Sequence, residues 1–184
     1  MNAILIYGSC YGTTRRYAEE LSRRTGFPAV PVGDMPEDLS PFDTVVHLGG
    51  LYAEKVMGLR KTAEHLPPSA RLLAVTVGLG DPSVPATAAH LRKSLEKQLP
   101  AEVLPRTEFF HLRGAMDMEK LTLRHKMMLK AFFAVMSRTA AGKESGFRER
   151  REGPVDYVDF SALDPLVSRL SGEGTSSPEG AGPS

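Results

Sequence analysis

The opening segment, MNAILIYGSCYGTTRRYAEEL, constrains the fold more than any other part of the chain. An apolar run from Ala3 to Tyr7 stops at Gly8. A loop of small and hydroxyl residues follows (Ser9, Cys10, Tyr11, Gly12, Thr13, Thr14), and then a helical pattern begins that sets Tyr17, Ala18 and Leu21 on one face. A strand that runs through such a loop into a helix is an arrangement that can hold a phosphate. The helix start leaves backbone N–H groups unpaired and carries partial positive charge. Hydroxyls add donors, and Gly12 permits close approach of the backbone. Neither Lys nor Arg lies within the loop, so a phosphate there would be held by neutral dipoles. The plainer alternative is a strand-to-helix turn with Thr13 or Thr14 as the N-cap. Other phosphate motifs are missing: there is no Walker loop, and Gly78-Leu79-Gly80 has Ser83 where a dinucleotide fingerprint needs its third glycine.

The same alternation of strand and helix continues along the chain. Ala29–Val32, Thr44–Leu48, Leu72–Val77 and Glu108–Leu112 read as further strands, with helices near Lys55–His65 and Val84–Leu99. Gly49-Gly50 reads as a turn, and Pro67-Pro68 ends the first of these two helices. In the second, Ala88, Leu91, Leu95 and Leu99 share a face. Strands that are apolar throughout imply a sheet covered on both faces, so the fold class is α/β with a doubly wound parallel sheet. After the fifth strand, Lys120–Arg138 reads as an extra helix that is basic on one side and apolar on the other. Its apolar face comprises Leu121, His125, Met128, Leu129, Phe132, Val135 and Met136, and is either buried on the sheet or a docking surface. A last helix is expected near Ser161–Asp164, read as a capping box, with Phe160, Leu163, Val167 and Leu170 facing the core.

Leu5, Ile6, Tyr7, Ser9, Gly12, Thr14, Ala18 and Leu21 fill every fixed position of the flavodoxin signature, and the chain resembles that FMN-binding family. The resemblance implies a flavodoxin-like five-stranded sheet of order 2-1-3-4-5 and an FMN phosphate held by Ser9, Cys10, Tyr11, Gly12, Thr13 and Thr14. Two further loops would flank the isoalloxazine ring: Gly50, Leu51, Tyr52 and Ala53 after the third strand, and Gly78, Leu79, Gly80 and Asp81 after the fourth. Tyr52 is the stacking candidate, with Tyr11 the other aromatic in these loops. The glycines of the later loop would offer main-chain N–H groups to the ring edge. Asp81 is expected to cap the following helix, with Pro82 as its first residue. Glu54 stands where relatives often have Gly. The segments FFHLRGAMDMEKLTLRHKMMLKAFF, GKESG and PVDYVDF resemble the subgroup that includes the bacterial quinone-linked protoporphyrinogen dehydrogenase. That resemblance implies an oxidoreductase passing hydride or electrons between a reduced donor and an acceptor, with a small molecule, a quinone or a protein as the redox partner. A plain electron carrier and a cofactor-free scaffold are the alternatives.

Charge and composition narrow the partners. The net charge is +1, whereas flavodoxins that shuttle electrons between soluble partners are typically strongly acidic. From Lys120 to Arg151 the basic residues are opposed only by Glu144 and Glu149, which suits either an anionic membrane surface or partner, or a solvated face. No nucleic-acid partner is expected. The single cysteine, Cys10, excludes an intrachain disulfide and fits a reducing cytoplasm; the expected location is cytoplasmic or peripheral to the inner membrane. No metal-ligand spacing occurs among His, Cys, Asp and Glu, and no residue is singled out as a catalytic acid or base. Residues 1–172 form one expected domain. Residues 173–184, rich in Gly, Ser and Pro, read as a disordered tail.

Overall fold

The computed structural model describes residues 1–52, 55–116 and 155–172, with positions 123, 126, 127, 131 and 134. Five strands run parallel: β1 (Ala3–Gly8), β2 (Ala29–Pro31), β3 (Thr44–Tyr52), β5 (Arg71–Gly78) and β6 (Thr107–Arg113). Their order is β2-β1-β3-β5-β6, which is the expected 2-1-3-4-5 once the short β4 (Lys55–Val56) is set aside. β4 folds back antiparallel on the end of β3, pairing Leu51 with Val56 and Tyr52 with Lys55. A separate two-stranded ribbon joins β7 (Ala115–Met116) to β8 (Val155–Asp156). The helices are α1 (Thr13–Thr25), α2 (Leu59–Glu64), α3 (Pro85–Glu96) and α4 (Asp164–Ser171).

Alternation along each strand sends neighbouring side chains to opposite faces. Ile4, Ile6, Val45, Leu72 and Ala74 pack on one face with Leu59 and Ala63 of α2 and Leu95 of α3. Ala3, Leu5, Val46, Leu48, Leu73 and Val75 pack on the other with Tyr17, Ala18 and Leu21 of α1 and Leu166 and Leu170 of α4. The apolar strand runs are therefore explained by burial on both sides.

Several boundaries differ from the sequence reading. Gly49 and Gly50 are not a turn; they lie inside β3, which continues to Tyr52. The reason is close packing. A Cβ on Gly8 would strike Met57 of the β4–α2 segment, and one on Gly49 would strike Val56. The glycines are thus a slot for a chain crossing the sheet, not a point where the chain reverses. Lys55–Val56 is strand and α2 begins only at Leu59, so the expected helix start at Lys55 is four residues early. The main-chain N–H of Val56 donates to the Gln98 side chain at 2.8 Å, which ties this hairpin to the end of α3.

At the C-terminal end the cap is Asp159, not Ser161. Its carboxylate accepts from the Ser161 N–H at 2.9 Å and heads a 3-10 turn, Phe160–Leu163, that leads into α4. Pro165 sits in the first turn of α4, where its missing N–H costs nothing. Leu163 and Leu170 are buried as expected, but Leu166 takes the inward place expected of Phe160, which is exposed and meets Tyr17 edge-on. The apolar face expected of the Lys120–Arg138 helix and the expected tail at 173–184 lie outside the described residues. Within that helix, described Leu123 is 76% exposed and Met127 is 66% exposed. Among the described residues no helix is long and apolar enough to cross a membrane.

Candidate functional site

The carboxyl ends of β1, β3 and β5 lie side by side, and the chain turns to opposite sides of β1 to reach β2 and β3. This is the switch point at which open α/β sheets bind ligands. The loop after β1 ends at Gly12, the N-cap of α1, whose φ of 88° is the left-handed conformation that favours glycine. The Gly12 N–H donates to Ser9 Oγ at 3.1 Å, which folds the loop on itself. A side chain at Gly12 would meet nothing within 4 Å, so the loop's outer side is open. Neither Thr13 nor Thr14 is the N-cap, and no side chain at the cap position bonds to the first turn. The first-turn amides therefore have neither an intrahelical acceptor nor a side-chain cap from Gly12. Thr14 is buried, while the Thr13 hydroxyl donates to the Ala115 carbonyl at 3.4 Å.

The other two loops converge on this one. Gly50, Leu51 and Tyr52 are the last residues of β3. The Tyr52 ring folds across Gly50: a Cβ there would stand 2.9 Å from Tyr52 Cε2 and 3.3 Å from Thr14 Oγ1. Tyr52 and Tyr11 approach with ring centroids 6.3 Å apart and planes tilted by 56°. The main-chain N–H and thiol of Cys10 reach the Tyr52 hydroxyl; burial first, then the Cys10 thiol and Tyr11, push the phenol's pKa up, against the Cys10 main-chain bond, which lowers it. Tyr52 thus lies against the loop after β1, across Gly50 and beside Cys10 and Tyr11. The Cys10 thiol is exposed and lies 4.0 Å from the Met57 sulfur. Ala53 and Glu54 lie outside the described residues.

Gly78 closes β5, and Leu79, Gly80 and Asp81 follow it at the same edge of the sheet. Asp81 does not cap α3. Its Oδ1 accepts from the N–H and hydroxyl of Ser83, at 3.0 and 2.6 Å, forming a turn ahead of the helix. Val84 is the N-cap and Pro85 the first helical residue, three positions beyond the expected Pro82. The expected site residues that are described therefore share one edge of the sheet, with Asp81 in a different local role.

Sequence reading did not single out the groups that bolt this edge together. Arg113 ends β6 as the register partner of Gly78, and the Gly114 N–H donates to the Gly78 carbonyl at 2.7 Å. The Arg113 guanidinium lies 3.9 Å over the Tyr157 ring and 3.4 Å from an Asp81 carboxylate oxygen. Buried Tyr17 donates its hydroxyl to the Arg113 carbonyl at 2.7 Å and accepts from the Asp159 N–H at 3.0 Å. Arg16 pairs with Asp156 at 2.9 Å. The Arg113-Gly114 pair after an apolar strand was the available signal; Tyr17 read only as a core residue.

His47 and His111 are structural in their contacts. His47 is buried, with Nδ1 2.8 Å from Thr62 Oγ1 and Nε2 2.9 Å from the Met57 carbonyl. A carbonyl only accepts, so Nε2 carries the proton and Nδ1 takes the Thr62 hydroxyl bond. Burial pulls the His47 pKa down to about 4. His111 pairs with Thr76 at 2.7 Å, and burial lowers its pKa also. His125 lies outside the described residues. Among the described residues no group of His, Cys, Asp and Glu is arranged to hold a metal.

A family model described as "Flavodoxin domain" matches residues 4–143, a span that contains all three loops. No curated protein matches the chain. Oxidised flavodoxin 1 from Bacillus cereus is similar in structure at 13% identity, covering 83% of this chain and 100% of that one, with a TM-score of 0.40. A flavodoxin from the domain Archaea is similar at 15% identity, 71% and 92% coverage and a TM-score of 0.42. The Fusobacterium nucleatum flavodoxin bound to flavin mononucleotide is similar at 14% identity, 65% and 74% coverage and a TM-score of 0.42. The matched span takes in all of the β2-β1-β3-β5-β6 sheet except Ala3. On that basis the chain belongs to the flavodoxin domain family.

Proposed function

We propose that the protein binds FMN and acts as an oxidoreductase, taking hydride or electrons from a reduced donor and passing them to an acceptor. The observation that carries this reading is the convergence of three loops at the switch point, one of them opening α1 behind an uncapped, left-handed Gly12. The residues fit the group. The first-turn amides of α1 with the Ser9 and Thr14 hydroxyls would hold its phosphate. Tyr52 would lie against the ring, and the Gly78–Gly80 main chain would meet the polar edge. The flavin supplies the redox chemistry; the chain binds and orients it and sets its electrostatic surroundings. Membership of the flavodoxin domain family supports this cofactor.

Within that class the sharpest substrate reading is oxidation of protoporphyrinogen with a quinone acceptor. It is supported by the resemblance of the C-terminal segments to that subgroup. The basic stretch Lys120–Arg151 would then face an anionic membrane or the carboxylates of a substrate, and the exposure of Leu123 and Met127 favours docking there. Near-neutral net charge favours an enzyme over a plain carrier of the acidic type.

The test is a visible absorption spectrum of the purified protein before and after adding FMN, with released cofactor identified by mass. Flavin bands at near-stoichiometric FMN are expected. A colourless protein that also fails to bind added FMN would replace this reading with a cofactor-free scaffold. Rescue of a strain lacking protoporphyrinogen oxidation tests the substrate, and absence of growth would remove it.

A further inference from the structure

We propose that Arg113 is the residue that accommodates the negative charge of the reduced flavin ring, making this site favour the reduced cofactor. The inference rests on the FMN reading above. Arg113 is placed for it by backbone register: it lies directly across from Gly78, the first residue of the loop that meets the ring's polar edge, and Gly114 bonds back to Gly78. Its side chain is 28% exposed and lies over the Tyr157 ring, so the cation is held rather than free to swing into water.

The guanidinium is poorly answered by its surroundings. It has five N–H donors. Its Nε is buried with no hydrogen-bond partner among the described residues. Among the described residues the nearest anion, Asp81, stands at 3.4 Å, beyond ordinary N–H···O length, and its other oxygen is held by Ser83. The other described arginines near the site are more closely paired, Arg15 with Glu19 at 2.6 Å and Arg16 with Asp156 at 2.9 Å. Among the described residues Arg113 is thus an under-compensated cation beside the ring loop, partly shielded from water, where a charge acts more strongly on its neighbours.

Two-electron reduction of the ring by a hydride donor adds two electrons and one proton. One negative charge remains, spread over the ring's polar end, and no leaving group is released. A fixed cation at that end lowers the cost of this charge, while the uncharged oxidised ring gains little from it. Asp81 opposes the effect in part, so removing its charge should strengthen it.

The experiment measures affinity for FMN twice, in air and anaerobically with excess dithionite, for the native protein, Arg113→Gln, Arg113→Lys and Asp81→Asn. Arg113→Gln should weaken binding of reduced FMN at least tenfold more than binding of oxidised FMN. Arg113→Lys should keep most of the native ratio, and Asp81→Asn should move the ratio in the opposite direction. An unmoved ratio in Arg113→Gln and Asp81→Asn, with both forms still bound, overturns the role of Arg113 and leaves the FMN reading standing. Equal loss in Arg113→Lys and Arg113→Gln also overturns it, because charge would then not be the cause. A native protein that binds neither form overturns both. Should Arg113→Gln fail to fold, the Asp81→Asn ratio decides alone.

Discussion

Gly8 and Gly49 are register partners on neighbouring strands, and the Met57 main chain lies across both of them. A Cβ on Gly49 would sit 3.1 Å from the Met57 carbonyl and 3.2 Å from His47 Nε2, besides colliding with Val56. The β4–α2 segment is therefore pressed onto the sheet next to the first ligand loop, with His47 holding the same carbonyl from beneath. Gly8→Ala and Gly49→Ala should each destabilise the protein by about 1–3 kcal/mol through overpacking. Gly33, with nothing within 4 Å of its would-be Cβ, is the control. Gly33→Ala should be neutral or slightly stabilising, by up to about 1 kcal/mol. Urea unfolding of the three variants checks the contrast, and equal effects at all three positions would refute the slot.

Burial of His47 makes stability depend on pH. In the unfolded chain its imidazole gains a proton near its ordinary pKa of 6.5, whereas in the folded protein burial delays this to about pH 4. As pH falls from about 6.5 to about 4 the unfolded state binds more protons, so stability falls over that window and is fully present above it. The full shift corresponds to a loss on the order of 3 kcal/mol, to which His111 adds in the same direction. His47→Gln should flatten most of this slope while lowering stability at neutral pH. Unfolding midpoints at several pH values between 7.5 and 4.5 measure it. The native carboxylates with lowered pKa, among them Asp43 and Asp156, act at more acidic pH, below their ordinary value of 3.8.

How much of this was legible in the sequence depended on whether the decisive contact was local. The β1–loop–α1 unit was, because its periodicity changes within a few residues and each side chain reports its own neighbourhood. The sheet order followed from the family resemblance. Gly49 and Gly50 were misread because a paired glycine signals either a turn or a close crossing, and only the position of Met57 decides between them. Asp159 was overlooked as a cap because Ser161 and Asp164 offered a more familiar spacing. Asp81 reached Ser83 within its own turn, where a helix cap was expected. Arg113 had no local signal beyond its place at a strand end: its partners Asp81 and Tyr157 lie far away in sequence. The three ligand loops were legible as loops, but not the folding of Tyr52 back across Gly50 onto Cys10.

The loop after β1 offers a direct test of where a phosphate is held. Ser9 Oγ already accepts the Gly12 N–H, and Thr14 is buried beside Gly50. Ser9→Ala with Thr14→Ala should weaken FMN binding by about 0.5–1.5 kcal/mol for each lost hydroxyl. Titration of apo-protein with FMN, compared with riboflavin, checks the origin of the loss. Weakening confined to FMN assigns it to the phosphate, and equal weakening of both ligands would assign it elsewhere in the site.

Tyr17 tests whether the site edge and the C-terminal segment are coupled. Its ring is fully buried between α1 and the sheet, and its hydroxyl joins two chain segments: it donates to the Arg113 carbonyl and accepts from the Asp159 N–H. Tyr17→Phe keeps the ring and removes only this bridge. Two main-chain groups lose their partner in a part-buried place, which should cost about 1–3 kcal/mol. The cost should not be spread evenly. Arg113 ends β6 beside Gly78, and Asp159 starts the turn into α4, so the loosened region should be the β7–β8 ribbon and the α4 start, with β1, β3 and β5 unaffected. Hydrogen exchange on Tyr17→Phe should show faster exchange at Tyr157, Val158 and Asp159 and unchanged protection at Leu5, Val46 and Leu73. Uniformly faster exchange through all strands would instead mean that Tyr17 acts only through global stability.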